Sequence, residues 1–352
     1  MSIDQTLRTD AQSRRGGSQL KKLGVGVIGA GFMGEMHARI YSGIPGVKLV
    51  AVADEQLARA EIVAQKLGAT AYHDYHDLLG RDDIDAVSIC VSDDRHLLPT
   101  VAATEARKSI LLEKPIATTL DESEKIVEAA RKNGVLLTVG HLLRFDPRYV
   151  GLKTYLDSGN IGEPVSIYTR RNSPITEGPK RYGSRGNLTL HVAVHDIDLI
   201  LWYMRSRVVR VYAEKASIAL KDIGIDDAVF ATLKFESGAI GNLEYSWILP
   251  ASSPTKIDAK LELMGTKGVG YVDIAEQGVR LCGADGVLMP DTGHWPEFGG
   301  LIRGDLREEI MSFVDCVKSG RQPAVSPEDA YEAVRVALAI IRSAEEGMPV
   351  TL

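Results

Sequence analysis

Cysteine is scarce in this sequence, and the three residues present, Cys90, Cys282 and Cys316, lie far apart along the chain. Metal-binding cysteines recur at short, regular spacings, which are absent here. We therefore expect reduced thiols, no metal site and a cytoplasmic protein. Long apolar runs are also missing, and a helix that spans a bilayer needs about 18 such residues, so we predict no association with a membrane.

A basic block is absent as well, since 41 lysine and arginine residues stand against 47 aspartate and glutamate residues. Nucleic acid is bound by a concentrated positive surface, so the composition argues against a nucleic-acid partner. Residues 1–21 are polar and contain no apolar segment of the kind found in secretion signals. We interpret them as a flexible N-terminal arm.

A glycine-rich turn follows the first apolar segment of the chain. The pattern Gly29-x-Gly31-x-x-Gly34 comes after a run of Val and Ile residues and precedes an amphipathic segment, which predicts a strand, a tight turn and a helix. Gly29 would allow the turn, Gly31 would admit a pyrophosphate, and Gly34 would let the helix pack on the strand. Backbone N–H groups at Phe32 and Met33 and the positive end of the helix dipole would then hold the phosphates.

An acidic residue ends the next predicted strand. Asp54 follows the segment 48–53 and lies about 20 residues beyond Gly34, the spacing expected of a carboxylate that binds the adenosine ribose. The alternative is that Asp54 only caps the following helix. Glu55 comes directly after it, and negative charge would repel a 2′-phosphate, so we expect NAD. Arg59, one turn further on, leaves NADP open.

The chain has two parts that differ in their pattern of predicted strands and helices. From residue 23 to residue 139, short apolar runs alternate with helical segments, which predicts an α/β domain with a doubly wound parallel sheet. Beyond it, strand-like segments joined by short turns predict an α+β domain with a large, mostly antiparallel open sheet. We place the nucleotide-binding domain at 22–145 and a substrate-binding and oligomerisation domain at 146–352. One sheet face would need covering, so we expect a homodimer or homotetramer formed through this sheet.

Helix boundaries can be predicted at several points. Thr119-x-x-Glu122 is a capping box for a helix that ends at Gly134, and Ser326-Pro327 begins another that runs to about residue 345. A helix is also predicted for residues 188–204.

Two polar stretches could carry chemistry. Lys114 follows a predicted central strand, beside the expected cofactor crevice, where it could hold a substrate hydroxyl; the alternative is an ordinary solvated lysine. His191 and His195 lie four residues apart on a predicted helix and share a face, with Asp198 one turn from His195. Such a group suits acid–base chemistry or metal binding, but a third metal ligand is not recognisable. Each histidine could also be purely structural.

These motifs occur in an order that resembles one family. The glycine pattern, Asp54, Glu113-Lys114-Pro115, Arg144-Phe145-x-Pro147 and His195-x-x-Asp198 together are similar to the glucose–fructose oxidoreductase / inositol dehydrogenase / MocA family. The resemblance extends from about residue 22 to the end of the last helix.

The resemblance implies a Rossmann domain followed by an α/β domain whose sheet mediates assembly. It implies NAD(P)-dependent oxidation or reduction at a carbinol carbon of a sugar, a sugar nucleotide or a cyclitol. By position, Lys114 and His195 would be the catalytic pair. Ser92 and His96 would line the cofactor, and Glu113 would lie beside it.

The sequence departs from the family pattern in three places. His191 stands where many relatives have aspartate, so His195 should titrate lower here. Asp93-Asp94 replaces a common Pro-Asn in the cofactor loop, and the glycine-rich run before the catalytic helix is reduced to residues 184–187.

From this pattern we predict a dehydrogenase acting on a secondary alcohol of a polyol. His195 would take the hydroxyl proton, Lys114 would stabilise the developing negative charge, and the hydride would leave for the nicotinamide. His191 would orient the substrate or relay the proton, and Asp198 and Arg170 would contact the substrate. Three alternatives stay open: a sugar-sensing regulator on the same fold, an NAD-dependent glycosidase and a metal hydrolase.

Overall fold

Six short apolar segments of the first half pair as a parallel sheet. They can run parallel because a helix between each two consecutive strands brings the chain back to the end of the sheet at which the first of them began. The computed structural model describes residues 22–275, 278–283 and 286–352, so the predicted N-terminal arm lies outside the described residues. The strand order is β3-β2-β1-β4-β5-β6. The strands are β1 (Leu23–Ile28), β2 (Val47–Ala53), β3 (Thr70–Tyr72), β4 (Ala86–Ile89), β5 (Ser109–Leu112) and β6 (Leu137–Val139).

Five helices connect these strands and cover both faces of the sheet, which confirms the predicted doubly wound arrangement. The central strands are buried on both sides and read as continuous apolar runs rather than alternating ones. The helices are α1 (Phe32–Ser42), α2 (Leu57–Leu67), α3 (Tyr75–Leu79), α4 (Leu97–Glu105) and α5 (Leu120–Asn133).

The second sheet has seven strands in the order β12-β11-β7-β10-β9-β8-β17. A helix, α6 (Pro147–Asp157), leads into it, and the short α7 (Glu177–Tyr182) follows its first strand. The strands are β7 (Pro164–Pro174), β8 (Val208–Ala216), β9 (Ala228–Phe235), β10 (Ile240–Leu249), β11 (Asp258–Gly265), β12 (Val269–Asp273) and β17 (Val350–Thr351).

The predicted antiparallel pairing accounts for only part of this sheet. Strands β8, β9 and β10 follow one another in antiparallel pairs, and a short turn at Ser237-Gly238 joins β9 to β10. Strand β7, however, lies between β10 and β11 and pairs with β10 in parallel. After β7, helical segments carry the chain toward the opposite edge of the sheet, where β8 lies. Strands β8, β9 and β10 then run back across the sheet, so that β10 pairs with β7 in parallel. One sheet face packs against helices and contributes to the larger apolar core.

The predicted helix at 188–204 is interrupted in its first turns. Residues Thr189–Ala193 form a π-helical turn, and only Val194–Met204 is α-helical (α8). A π-helical turn bonds each N–H to the carbonyl five residues earlier and is frequent at functional sites.

The last two helices return to the first half of the molecule. Helix α9 (Asp305–Ser319) buries Leu306, Ile310 and Phe313 in the apolar cluster that also contains α1. Helix α10 (Pro327–Glu346) contributes to the cores of both halves. Its capping box at Ser326 is present as predicted, as are the Thr119 cap and the Gly134 stop of α5.

Two short hairpins precede α9. They are formed by β13 (Leu281–Gly283) with β14 (Gly286–Leu288) and by β15 (Glu297–Phe298) with β16 (Leu301–Ile302). Among the described residues, none of the helices combines the length and the apolarity needed to cross a bilayer.

Candidate functional site

A crevice of about 960 Å³ runs along the carboxyl edge of the parallel sheet. Gly29 turns there with a φ of 95°, in the left-handed region that favours glycine, and a Cβ on it would lie 2.6 Å from the Cys90 carbonyl oxygen. A Cβ on Gly34 would overlap the Gly29 carbonyl, so only glycine lets α1 pack this closely. Gly31 has no heavy atom within 4 Å of the position a Cβ would take. These properties suit the roles expected of the three glycines.

Helix α1 begins directly after Gly31, which places the free N–H groups of its first turn beside the crevice. Phe32, in that first turn, is 54% exposed, and the Arg181 guanidinium lies 5.3 Å from its ring centre. Met33, next in the turn, is partly buried against the core. Arg181 belongs to α7, so the second half of the chain approaches the glycine turn from above.

Asp54 lies at the tip of β2 and lines the crevice. Its Oδ2 accepts the Ala30 N–H at 2.7 Å and its Oδ1 accepts the Gln56 N–H at 2.8 Å. The cap residue of α2 is Gln56, and no side chain caps that helix. The carboxylate is therefore tied to the glycine turn and leaves its remaining lone pairs toward the crevice, where an adenosine ribose would bind.

Ser92 and His96 occupy different environments in the loop after β4. Ser92 lines the crevice at the start of a 3₁₀ turn. His96 is buried, and its Nδ1 lies 2.8 Å from the Pro115 carbonyl oxygen while its Nε2 lies 3.3 Å from the Val91 carbonyl oxygen. Burial lowers the pKa of His96, and a neutral ring has a single N–H; with that proton on Nδ1 it donates to the nearer Pro115 carbonyl and joins the loop after β4 to the loop after β5. His96 is not among the residues that line the crevice.

Glu113 is the buried end of a polar chain below the crevice. Its Oε1 lies 3.1 Å from Nε2 of His37, whose Nδ1 lies 3.0 Å from the Ser88 hydroxyl. That hydroxyl is 2.8 Å from the Tyr41 hydroxyl. Burial alone would raise the pKa of Glu113, but the hydrogen bond and the charge of His37 lower it below its usual value. A carboxylate therefore lies directly beneath Lys114.

Lys114 follows β5 and is half-buried. Its Nζ donates a hydrogen bond of 3.1 Å to the carbonyl oxygen of His191 in the π-helical turn. This contact joins the nucleotide-binding half to the segment that leads into α8. A lysine ammonium has three N–H donors, so this one contact does not use its full hydrogen-bonding capacity.

His195, in the first turn of α8, has a half-buried ring. Its Nδ1 is enclosed and has no hydrogen-bond partner among the described residues. Burial lowers the pKa of His195 well below its usual value, and the positive charge of Lys114 lowers it further. The sequence predicted this direction and assigned it to a second imidazole; the structure assigns it to burial and to Lys114.

His191 has both ring nitrogens engaged within the chain. The backbone N–H of Asn187 donates to Nδ1 at 3.0 Å, and Nε2 lies 2.9 Å from Oδ2 of Asp93. The ring also stacks on Tyr182, with 3.7 Å between centres and 3° between planes. These contacts leave neither nitrogen for a substrate, so the structure does not support a direct catalytic or substrate-binding role for this imidazole.

Asp198 does not reach the crevice. It is 1% exposed and receives two hydrogen bonds from Arg144, at 2.6 and 2.9 Å. Asp198 lies one turn after His195, as the sequence spacing indicated. Its carboxylate, however, binds Arg144 and is not directed to the crevice. The predicted substrate contact is replaced by a buried ion pair between α8 and the loop after β6.

Arg170 lies on the wrong face of the second sheet for a substrate contact. Neighbouring residues of a strand point to opposite faces, and Arg171 points inward, where it binds Asp196 of α8. Arg170 therefore points away from α8 and pairs with Asp258 at 2.8 Å. The sequence alone could not assign the sheet face on which Arg170 lies.

Several functional candidates were missed from the sequence. Asp93 was noted only as a departure from the family pattern, and His37 lies inside the α1 pattern, where it looks like a core residue. His141 and His294 both act electrostatically on His195 and carry buried nitrogens without a hydrogen-bond partner among the described residues, although Nδ1 of His141 lies 3.9 Å from Oδ2 of Asp198. No spacing links these residues, because they come from separate loops.

Two family matches cover most of the chain. Residues 23–141 match "Oxidoreductase family, NAD-binding Rossmann fold", and residues 153–352 match "Oxidoreductase family, C-terminal alpha/beta domain". The chain belongs to the glucose–fructose oxidoreductase / inositol dehydrogenase / MocA family. This Gfo/Idh/MocA protein is thus an NAD-dependent oxidoreductase. The open space at Gly31 and the carboxylate of Asp54 fit that cofactor.

Relatives extend this match over nearly the full length. The Gfo/Idh/MocA protein is 31% identical to the scyllo-inositol 2-dehydrogenase (NAD(+)) of Bacillus subtilis, over 93% of this chain and 95% of that protein. It is 31% identical to the myo-inositol 2-dehydrogenase of Thermotoga maritima, over 93% and 98%. The crystal structure of myo-inositol 2-dehydrogenase from Lactobacillus plantarum superposes with a TM-score of 0.82 at 29% identity, covering 94% of this chain and all of that one.

Replacing Asp54 tests its assignment to the ribose. Because Asp54→Ser removes negative charge where a 2′-phosphate would lie, we expect the ratio of kcat/KM for NAD to that for NADP to fall by at least about tenfold. The ratio is measured with both cofactors at a fixed substrate concentration. Asp121→Ser, which removes an exposed carboxylate paired with Lys125 on α5, is the matched control and should leave the ratio unchanged. An unchanged preference in Asp54→Ser would refute the assignment.

Proposed function

We propose that this protein oxidises a secondary alcohol of a cyclitol with NAD and that Lys114 and His195 are its catalytic pair. The inositol dehydrogenases to which the chain is similar, over more than nine-tenths of its length, support the substrate class. The observation that carries the catalytic pair is the hydrogen bond from Lys114 to the π-helical turn just before His195. This contact, together with the electrostatic effect of Lys114 on His195, supports a pair made of an ammonium from one half and an imidazole from the other.

The two side chains have complementary charge states. His195 is neutral, because burial and the nearby ammonium disfavour its protonated form, so it can accept a proton from the alcohol. The proton goes to Nε2, because Nδ1 is enclosed. Lys114 donates a hydrogen bond to the alcohol oxygen and stabilises the negative charge that develops there. NAD, when bound, supplies the hydride acceptor.

Residues of both halves orient the partners of this reaction. The first turn of α1 and Gly31 would hold the pyrophosphate, and Asp54 would bind the adenosine ribose. Ser92 would contact the edge of the cofactor near Lys114. Glu113 keeps a compensating charge beneath Lys114. The substrate ring would lie above the nicotinamide end, between Lys114 and His195.

Turnover with a panel of cyclitols, free sugars and sugar nucleotides tests the function. We expect NADH to form with a cyclitol. Lys114→Ala and His195→Ala should each lower kcat on the order of a hundredfold or more, the usual contribution of a proton-transfer group, while NADH still binds. Lys125→Ala, which removes an exposed lysine of α5, is the control for loss of a positive charge.

Other results would contradict the proposal in different ways. Binding of NADH without turnover of any alcohol would indicate a sugar-sensing regulator. Release of sugar from a chromogenic glycoside without net NADH would indicate a glycosidase. Full activity in either alanine variant would remove that residue from the catalytic pair.

The pH dependence of oxidation follows from the state of His195. Its pKa lies well below the usual 6.5 because the ring is buried near positive charge, so the neutral base persists as the pH falls. We therefore expect kcat/KM to stay on its plateau down through the ordinary histidine range and to decline only at lower pH. The measurement is the pH profile of kcat/KM with the best cyclitol.

The effect of Lys114 on the pKa of His195 can also be checked in a variant that has no activity. Lys114→Gln removes a neighbouring positive charge, so the pKa of His195 should rise toward its usual value, as followed by an NMR titration of the imidazole. The charged or titratable groups that remain near the ring are Arg171, His141 and His294. In the wild-type protein, an acidic limb of the kcat/KM profile centred at or above pH 6.5 would contradict the neutral state expected of His195.

We also propose that the uncovered face of the second sheet joins copies of this chain. This face points away from α8 and carries apolar side chains at the surface, beside the polar side chains of β7 and β11. Exposed apolar groups gathered on one sheet face are typical of interaction surfaces. The apolar residues are Tyr212, Phe230, Ile240, Val269 and Tyr271.

Sedimentation of the purified protein tests this assembly. We expect a dimer or a tetramer, and Phe230→Glu should raise its dissociation constant at least about tenfold, because a carboxylate would be buried in the interface. Ile218→Glu changes an exposed apolar residue in the loop after β8 and should have no effect. A wild-type monomer at micromolar concentration would refute the proposal.

A further inference from the structure

The contacts of His191 define its tautomer. A backbone N–H can only donate, so Nδ1 of His191, which lies 3.0 Å from the Asn187 nitrogen, is an acceptor. In the neutral ring the proton is then on Nε2, and this group donates to Oδ2 of Asp93 at 2.9 Å. The imidazole is thereby held at both nitrogens in one orientation. The ring also stacks on Tyr182, which favours the same orientation.

The backbone of the same residue holds the catalytic lysine. The carbonyl oxygen of His191 accepts the Lys114 Nζ hydrogen bond at 3.1 Å. His191 thus makes two separate contacts with the nucleotide-binding half. Its ring contacts the loop after β4, which contains Asp93, and its carbonyl contacts the loop after β5, which contains Lys114.

We propose that Asp93 is a positioning residue that keeps Lys114 in place through His191: its carboxylate fixes the imidazole, and the fixed residue presents its carbonyl to the ammonium. This inference rests on the catalytic role proposed for Lys114. Asp93 itself acts through its neighbour and touches neither substrate nor reacting atoms.

The charge of Asp93 suits this role. Burial raises the pKa of its carboxyl group, but the hydrogen bond with His191, the charge of Lys114 and, at the low pH where this carboxyl titrates, the charges of protonated His191 and His96 lower it to about 2. The group is therefore an acceptor throughout the working range of an enzyme. Burial lowers the pKa of His191, although Asp93 opposes this, so the ring stays neutral.

Positions 93 and 191 are also two of the places where this sequence departs from the family pattern. This chain has an imidazole at the later position and a carboxylate at the earlier one. The structure brings the two into contact. The carboxylate is thus supplied from the opposite half of the molecule, across the nicotinamide end of the crevice.

Substitution of Asp93 tests the positioning role. We expect Asp93→Ala to lower kcat by about tenfold, because a misplaced catalytic group slows the chemical step, while KM and the affinity for NADH change less than about twofold. Asp93→Asn keeps an oxygen that can accept the Nε2–H bond and should stay within about threefold of the wild-type kcat. Equal losses in both variants, or no loss in either, would overturn the inference.

A matched control separates positioning from general contact between the halves. Glu297→Ala removes an exposed carboxylate that binds Arg39 of α1 from the second half of the chain. It should leave kcat unchanged. A loss equal to that of Asp93→Ala would show that any break between the halves has the same effect, against a specific role for Asp93.

A double-mutant cycle tests whether Asp93 acts through the imidazole. His191→Ala removes the ring but keeps the backbone carbonyl, and should lower kcat by about as much as Asp93→Ala. The double variant should be no slower than either single variant. Losses that multiply, to about a hundredfold, would show independent roles and refute the inference.

The tautomer can be measured without turnover. We expect ¹⁵N NMR of the imidazoles, assigned with His191→Gln, to show His191 with its proton on Nε2 at neutral pH. An Nδ1–H tautomer or a doubly protonated ring would contradict the inference even if Asp93→Ala does not fold. A wild-type protein that oxidises no alcohol would instead refute the proposed function, whereas an active wild type with an unaffected Asp93→Ala variant would refute this inference alone.

Discussion

The hydrogen bond between the Lys114 ammonium and the His191 carbonyl is the contact on which the candidate site depends. Parallel strands bring the loops after β1, β2, β4 and β5 to one edge, but they leave that edge open above. The π-helical turn closes it from the other half, with a carbonyl that meets the lysine and a ring that meets the loop after β4. His195 follows one turn later and shares the electrostatic environment of Lys114.

Burial of polar groups gives this edge its chemical character. Glu113, His37, Ser88 and Tyr41 form a hydrogen-bonded chain beneath the lysine, so its positive charge is compensated from inside the protein. Nδ1 of His195 has no hydrogen-bond partner among the described residues, and burial and nearby positive charges lower the pKa of this imidazole. Burial and the charge of Lys114 therefore both disfavour a protonated His195, which suits the donor and base roles proposed for the two residues.

The second half of the chain places its polar residues by strand and helix geometry. Arg171 points toward α8 and binds Asp196, whereas Arg170, its neighbour, points to the uncovered sheet face. Asp198 pairs with Arg144 and joins α8 to the end of the first sheet. The buried Arg144–Asp198 pair ties the helix that carries His195 to the nucleotide-binding half, and the Arg171–Asp196 pair ties it to the second sheet, each at the cost of desolvating both charges.

Local patterns in the sequence were sufficient for the glycine turn, the order of the strands and helices, the caps at Thr119 and Ser326, and the family, because each depends on residues within a few positions of one another. Lys114 and His195 could be chosen because their motifs have a fixed place in that family. Only the tertiary structure decided the parallel pairing of β7 with β10, the faces of Arg170 and Asp198, and the contact of Asp93 with His191. These depend on residues tens of positions apart, whose distances and directions are set by packing and not by spacing along the chain.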